Sequence, residues 1–133
     1  MANKTPIERN RGSTAGVCVM NTRELLEQAA KAHGLAVDRF NDVGDHIYTG
    51  TLGKWWSSLV VDGDCLRLAM ALDINVMFDV HEQRTIAEWG DAERCVQYWN
   101  GLVTSKTEAT RLAVTRAAAE IWTSRLEGAE LSG

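Results

Sequence analysis

From residue 20 onward, the spacing of apolar positions divides the chain into helical and strand-like stretches. Asn21 is placed to cap a helix, Glu24 stands at the reciprocal capping position, and Leu25, Leu26 and Ala29 form an apolar stripe. This spacing predicts a helix over 22–33 that Gly34 ends. Between Leu35 and Gly53 the turn-formers Asn41, Asp42, Gly44, Asp45, Gly50 and Gly53 bracket the short β-prone run His46-Ile47-Tyr48-Thr49, a predicted strand. Lys54 to Val61 is apolar and aromatic enough for another strand or a packed loop. Asp62 or Asp64 is then placed to cap a second helix, in which Leu66, Ala69, Met70 and Asp73 keep a helical spacing and which ends by Leu72.

Three β-prone segments follow, 74–80, 85–89 and 94–99, with hairpin-length separators at His81–Arg84 and Gly90–Glu93. In the first, Ile74, Val76, Phe78 and Val80 alternate with Asn75, Met77 and Asp79, which predicts one face turned inward. The segments read as an antiparallel meander. A second capping box, Ser105 to Glu108, opens the last helix, which runs through Ala109, Leu112, Ala113, Ala117, Ile121 and Trp122 to Gly128. Its alanines suit close packing on a sheet. The element order predicts an α+β fold, with an antiparallel sheet of about four to five strands and three helices packed mainly on one side. Residues 1–19 hold Pro6, Gly12, Ser13 and Gly16 among Lys4, Arg9 and Arg11. They read as a polar N-terminal extension, with 16–19 as a candidate edge strand, ahead of a single domain over 20–133.

Composition narrows the function classes. The 133 residues are 45% hydrophobic and 24% charged, the balance of one globular domain. No apolar run approaches the roughly 18 residues that cross a bilayer, and residues 1–20 lack the apolar centre of a secretory signal, which predicts a cytoplasmic protein with no membrane partner. Cys18, Cys65 and Cys95 are odd in number and too far apart for a metal knuckle, so they read as reduced thiols. A net charge of −4 argues against a protein that holds nucleic acid by neutralising phosphates. The negative charge concentrates over 62–93, where Asp62, Asp64, Asp73, Asp79, Glu82, Glu88, Asp91 and Glu93 face only Arg67 and Arg84. Gathered on one face, that block would attract a basic surface.

Candidate chemistry is sparse. Asp62-Gly63-Asp64 is the spacing at which two carboxylates can share a divalent ion, but a helix start prefers Asp for capping and for the positive end of the dipole, and capping is the better account. Asp79-Val80-His81-Glu82 brings a carboxylate and an imidazole close at a strand end. His33 suits a helix C-terminus. Cys65 lies in a first helical turn, where the dipole lowers a thiol pKa, but the sequence places no histidine near it and a buried apolar role accounts for it better. Phosphate-binding, dinucleotide-binding, serine-hydrolase and zinc-protease signatures are absent from the sequence, and no cofactor or metal ligand set is assigned. Tryptophan dominates the aromatic content: Trp55, Trp56, Trp89, Trp99 and Trp122 stand against four Phe and Tyr together. Adjacent residues on a strand point to opposite faces, so one of Trp55 and Trp56 is predicted to be exposed.

Three patches resemble small phage and prophage proteins, broadly the NinX-type group. They are Met20-Asn21-Thr22-Arg23-Glu24-Leu25-Leu26, then Trp56-Ser57-Ser58-Leu59 leading to Asp62-Gly63-Asp64-Cys65-Leu66-Arg67-Leu68-Ala69, and the helical run 109–121. Such proteins often carry Trp-Asn-Pro-Leu before the Asp-Gly-Asp helix; Ser57-Ser58 stands here in place of Asn-Pro. The resemblance implies a bacterial cytoplasm during infection or lysogeny, and an accessory protein that binds host machinery or a defence system. On that reading the protein is non-enzymatic and contacts a host or phage protein through Trp55, Trp56, Asp79, Glu82 and Trp89, with homo-oligomerisation left open. Two alternatives stand beside it: a metal-dependent nucleotide or nucleic-acid enzyme using Asp62, Asp64, Asp79 and His81, and nucleic-acid binding through Arg111, Arg116 and Arg125.

Overall fold

The computed structural model describes residues 20–99 and 105–132; the extension over 1–19 and its candidate strand at 16–19 lie outside them. Helix α1 (Thr22–Ala32) opens on the predicted capping box, with Glu24 N–H donating to Asn21 Oδ1 at 2.8 Å and Asn21 N–H to Glu24 Oε1 at 3.1 Å. Gly34, at φ +84°, closes it: Gly34 N–H reaches the Lys31 carbonyl and Leu35 N–H the Ala30 carbonyl, the paired bonds of a Schellman end. Strands β1 (Arg39–Phe40), β2 (Ile47–Thr49) and β3 (Lys54–Trp56) form one antiparallel sheet in chain order. Helix α2 (Asp62–Ala71) separates it from β4 (Asn75–Asp79), β5 (Arg84–Trp89) and β6 (Glu93–Tyr98), which form a second antiparallel sheet, also in chain order. Helix α3 (Lys106–Ser132) closes the chain.

Among the described residues the fold is α+β with three helices, as the periodicity predicts, but two antiparallel sheets of three strands stand in place of the expected single sheet of four to five. Tight turns pair each short strand with its chain neighbour, and α2 intervenes before either sheet can extend the other. Helix α3 is the common support. It packs on α1, on α2 and on β5 and β6, presenting Ala109, Ala113, Ala117 and Ala118 without exposed surface. One core joins Leu26 and Ala29 of α1, Ile47 and Trp56 of the first sheet, Leu68 of α2, Ala87 of β5 and Val114 of α3. Among the described residues no helix is long and apolar enough to cross a membrane.

Four local expectations are corrected. The N-cap of α2 is Val61, which makes no side-chain cap bond, so neither Asp62 nor Asp64 caps the helix. The buried stripe of α2 is Asp64, Cys65, Leu68 and Ala69, whereas Leu66 and Met70 are 61% and 68% exposed. Asp73 has left the helix at φ +56°, and Ile74 N–H donates back to the Ala69 carbonyl at 2.9 Å. In β4 only the first part of the alternation is inward: Ile74 is buried and Val76 packs on the core, while Phe78 is 49% exposed and Val80 lies at the surface. Helix α3 also continues past Gly128 to Ser132.

Candidate functional site

The acidic candidates are engaged in holding the fold. Asp62 accepts from Arg111 Nη1 at 2.6 Å, and Arg111 Nε donates to the Leu59 carbonyl at 2.8 Å, tying α3 to the loop before α2. Asp64 is buried and accepts from Ser57 N–H at 3.0 Å and from Arg67 Nη2 at 2.9 Å. Asp79 accepts from Glu82 N–H at 3.1 Å and from Arg84 Nε at 3.0 Å. The Glu82 N–H, followed by the Arg84 guanidinium, holds the Asp79 carboxyl below its ordinary value. His81 is exposed in the β4–β5 turn. Among the described residues no three His, Cys, Asp or Glu side chains are grouped so as to hold a metal ion. Burial pushes the Cys65 thiol up to about 11, overriding the helix dipole and the nearby Arg111 charge.

Of the arginines of the last helix, Arg111 and Arg116 are half-buried and Arg125 is exposed. Arg111 is held as above, and Arg125 Nη1 donates to the Ala32 carbonyl at 3.2 Å, where a cation complements the C-terminus of α1. Arg116 Nε is buried with no hydrogen-bond partner among the described residues. These three do not form a solvent-facing basic row.

The proposed contact residues do not form one surface either. Asp79 and Glu82 meet in the β4–β5 turn. Trp89 lies at the other end of β5 from Arg84, the partner of Asp79, about 16 Å away along an extended strand, and it packs on the core. Trp56, expected at a contact surface, is instead 1% exposed, the largest fully buried side chain among the described residues, tilted against the His33 ring. The register of β2 and β3 explains the choice, since Trp56 sits opposite buried Ile47 and Trp55 opposite outward Tyr48. The acidic block is spread in the same way, with Asp62 and Asp64 at the start of α2, Asp79 and Glu82 at one end of the second sheet and Glu88 to Glu93 at the other.

Two features remain, and sequence reasoning found only Trp55 of the first. On the outer face of the first sheet, Arg39, Tyr48 and Trp55 stand side by side across three strands. The Tyr48 and Trp55 rings meet edge-on at 5.5 Å. The Arg39 guanidinium lies 4.6 Å from the Tyr48 centroid and 5.4 Å from that of Trp55. Trp55 is 42% exposed, and Arg39 forms no ion pair among the described residues.

The second feature is an apolar cleft of about 380 Å³ between α2, β4 and the start of α3, with Leu66, Ala69, Val76, Phe78 and Val114 in its walls and Asp62, Arg111 and Lys106 at its rim. Lys106 Nζ stands 4.5 Å from the Phe78 centroid and 4.9 Å from that of Trp99. Trp99 is fixed by its Nε1–H, which donates to Thr85 Oγ1 at 2.8 Å. Of the two exposed apolar residues of α2, Leu66 lines this cleft, while Met70 faces a separate pocket beside Leu35 and Trp56.

No protein-family model, curated protein or solved structure matches this chain.

Proposed function

We propose that the protein acts by binding another protein through the Arg39–Tyr48–Trp55 row. The observation that carries this reading is the arrangement itself, since Trp, Tyr and Arg are the side chains most enriched at energetic centres of protein interfaces. Strand register and mutual stacking hold all three in place before any partner arrives, so little side-chain entropy is left to lose on binding. The matching partner surface has an apolar side chain to lie on the indole and a carboxylate for Arg39. The carboxylates considered for metal chemistry support binding over catalysis, because Asp62, Asp64 and Asp79 each already accept from an arginine.

The test begins with capture from a lysate of the cells that encode the protein, using the parent chain, Trp55→Ala, Arg39→Ala and the exposed-site control Val43→Ala. The captured partner is then purified and titrated directly. Trp55→Ala should weaken binding by about 30-fold, the loss of a central hot spot, and Val43→Ala should leave it unchanged. Equal affinity for the parent and Trp55→Ala would refute this surface.

A further inference from the structure

The second sheet ends in an edge that lacks the usual protection. Sheet edges invite pairing with another chain unless charge, proline or a bulge blunts them. Of the other edges, β1 carries Arg39, β3 carries Lys54, and β6 carries Glu93 and Arg94. Strand β4 reads Asn-Val-Met-Phe-Asp, with no lysine, proline or glycine, and its one charge is neutralised by Arg84. Among the described residues its outer side pairs with no strand and makes no loop hydrogen bond. Beside this edge lie the cleft and the exposed apolar side chains Leu66, Phe78 and Val80. Leu66 and Phe78 share the cleft, and exposed large apolar side chains gathered beside an open edge suit an interface.

We propose that two copies of the chain pair edge to edge through β4, antiparallel about a two-fold axis at Met77. The strand is self-complementary in this register. Met77 meets the partner's Met77, Val76 meets the partner's Phe78, and Asn75 meets the partner's Asp79, so no two carboxylates are opposed and an amide faces a carboxylate. Val76 and Phe78 share the cleft face; pairing therefore sets the partner's Phe78 beside Val76, where it closes the mouth of the cleft. On the opposite face, Met77, Ile86 and Val96 already form an apolar row across β4, β5 and β6. The two-fold axis continues that row through both copies of a six-stranded sheet. The interface is isologous and closes at two copies, as the commonest oligomers do.

Light scattering on the full chain at high micromolar concentration should give twice the chain mass, and Phe78→Glu or Met77→Lys should return it to one chain mass with an unchanged circular dichroism spectrum. Both positions are at least partly exposed, so neither change empties the core. Register is read separately by mild oxidation. Met77→Cys places two opposed Cβ atoms about 5 Å apart, close enough to bridge, whereas Asn75→Cys leaves its two copies about 13 Å apart along the strands. A covalent dimer is expected for Met77→Cys beyond the background of the parent chain, and none for Asn75→Cys. A parent chain that stays monomeric would overturn the proposal, and so would a dimer that survives Phe78→Glu and is not bridged at position 77.

Discussion

At the scale of single residues, the contrast between Asp62 and Asp64 shows how similar neighbours acquire different roles. Both carboxylates accept from an arginine, but Asp62 sits in solvent while Asp64 is buried and also satisfies the Ser57 N–H. Removing Asp64 strands a buried donor and unpairs Arg67. Asp64→Ala is therefore expected to lower unfolding free energy by about 2–3 kcal/mol, and Asp62→Ala by less than about 1 kcal/mol, the range of an exposed pair. Guanidinium midpoints for the two variants decide it; equal losses would mean that Asp64 contributes no more than a surface ion pair. None of this is visible in Asp-Gly-Asp as text, because the decisive partner, Ser57 N–H, lies seven residues back in a turn. The Arg39–Tyr48–Trp55 row was hidden for a related reason. Its members are nine and seven residues apart and align only after two hairpin registers are set, whereas the opposite facing of Trp55 and Trp56 follows from strand geometry alone.

Among the elements, those whose signals are local were the readable ones. The start of α1 depends on Asn21 and Glu24, three residues apart, and its end on Gly34; the second meander depends on separators of hairpin length. The first sheet was only partly readable, because β1 is two residues long and two residues carry no alternation. The end of α2 shows a local rule being broken. Gly34 and Asp73 occupy the same left-handed position after their helices, at φ +84° and +56°, but only one is a glycine. The two sites should respond in opposite directions. Gly34→Ala, which meets no neighbouring atom within 4 Å, should cost about 1 kcal/mol through backbone strain alone. Asp73→Gly should gain about 0.5 kcal/mol, relief of strain exceeding the added freedom of the unfolded chain. Thermal unfolding of the pair reads both signs, and a destabilised Asp73→Gly would show that the aspartate side chain makes up for its backbone.

Across the molecule, two separate sheets share one core, and the question is whether they unfold separately. Strands of two or three residues cannot hold a sheet without outside support. The support for the first sheet is Ile47 and Trp56 packed in the same cluster as Ala113, Val114 and Ala117 of α3, which also carries Ala87 of the second. Opening the first sheet would expose the Trp56 indole and leave a void against α1, so it is coupled to loss of the α1–α3 contact. Native-state hydrogen exchange should therefore give the bonded amides of β2 the same opening free energy as those of α3 around Ala113 to Ala118. Ala117→Leu, which overpacks a site with no exposed surface, should lower both values together by about 1–3 kcal/mol. Exchange in β2 at a lower free energy, unmoved by Ala117→Leu, would mean that the hairpins bearing Trp55 form a separate cooperative unit. The binding row would then fluctuate independently of its support, and the preorganisation on which its proposed affinity rests would be lost.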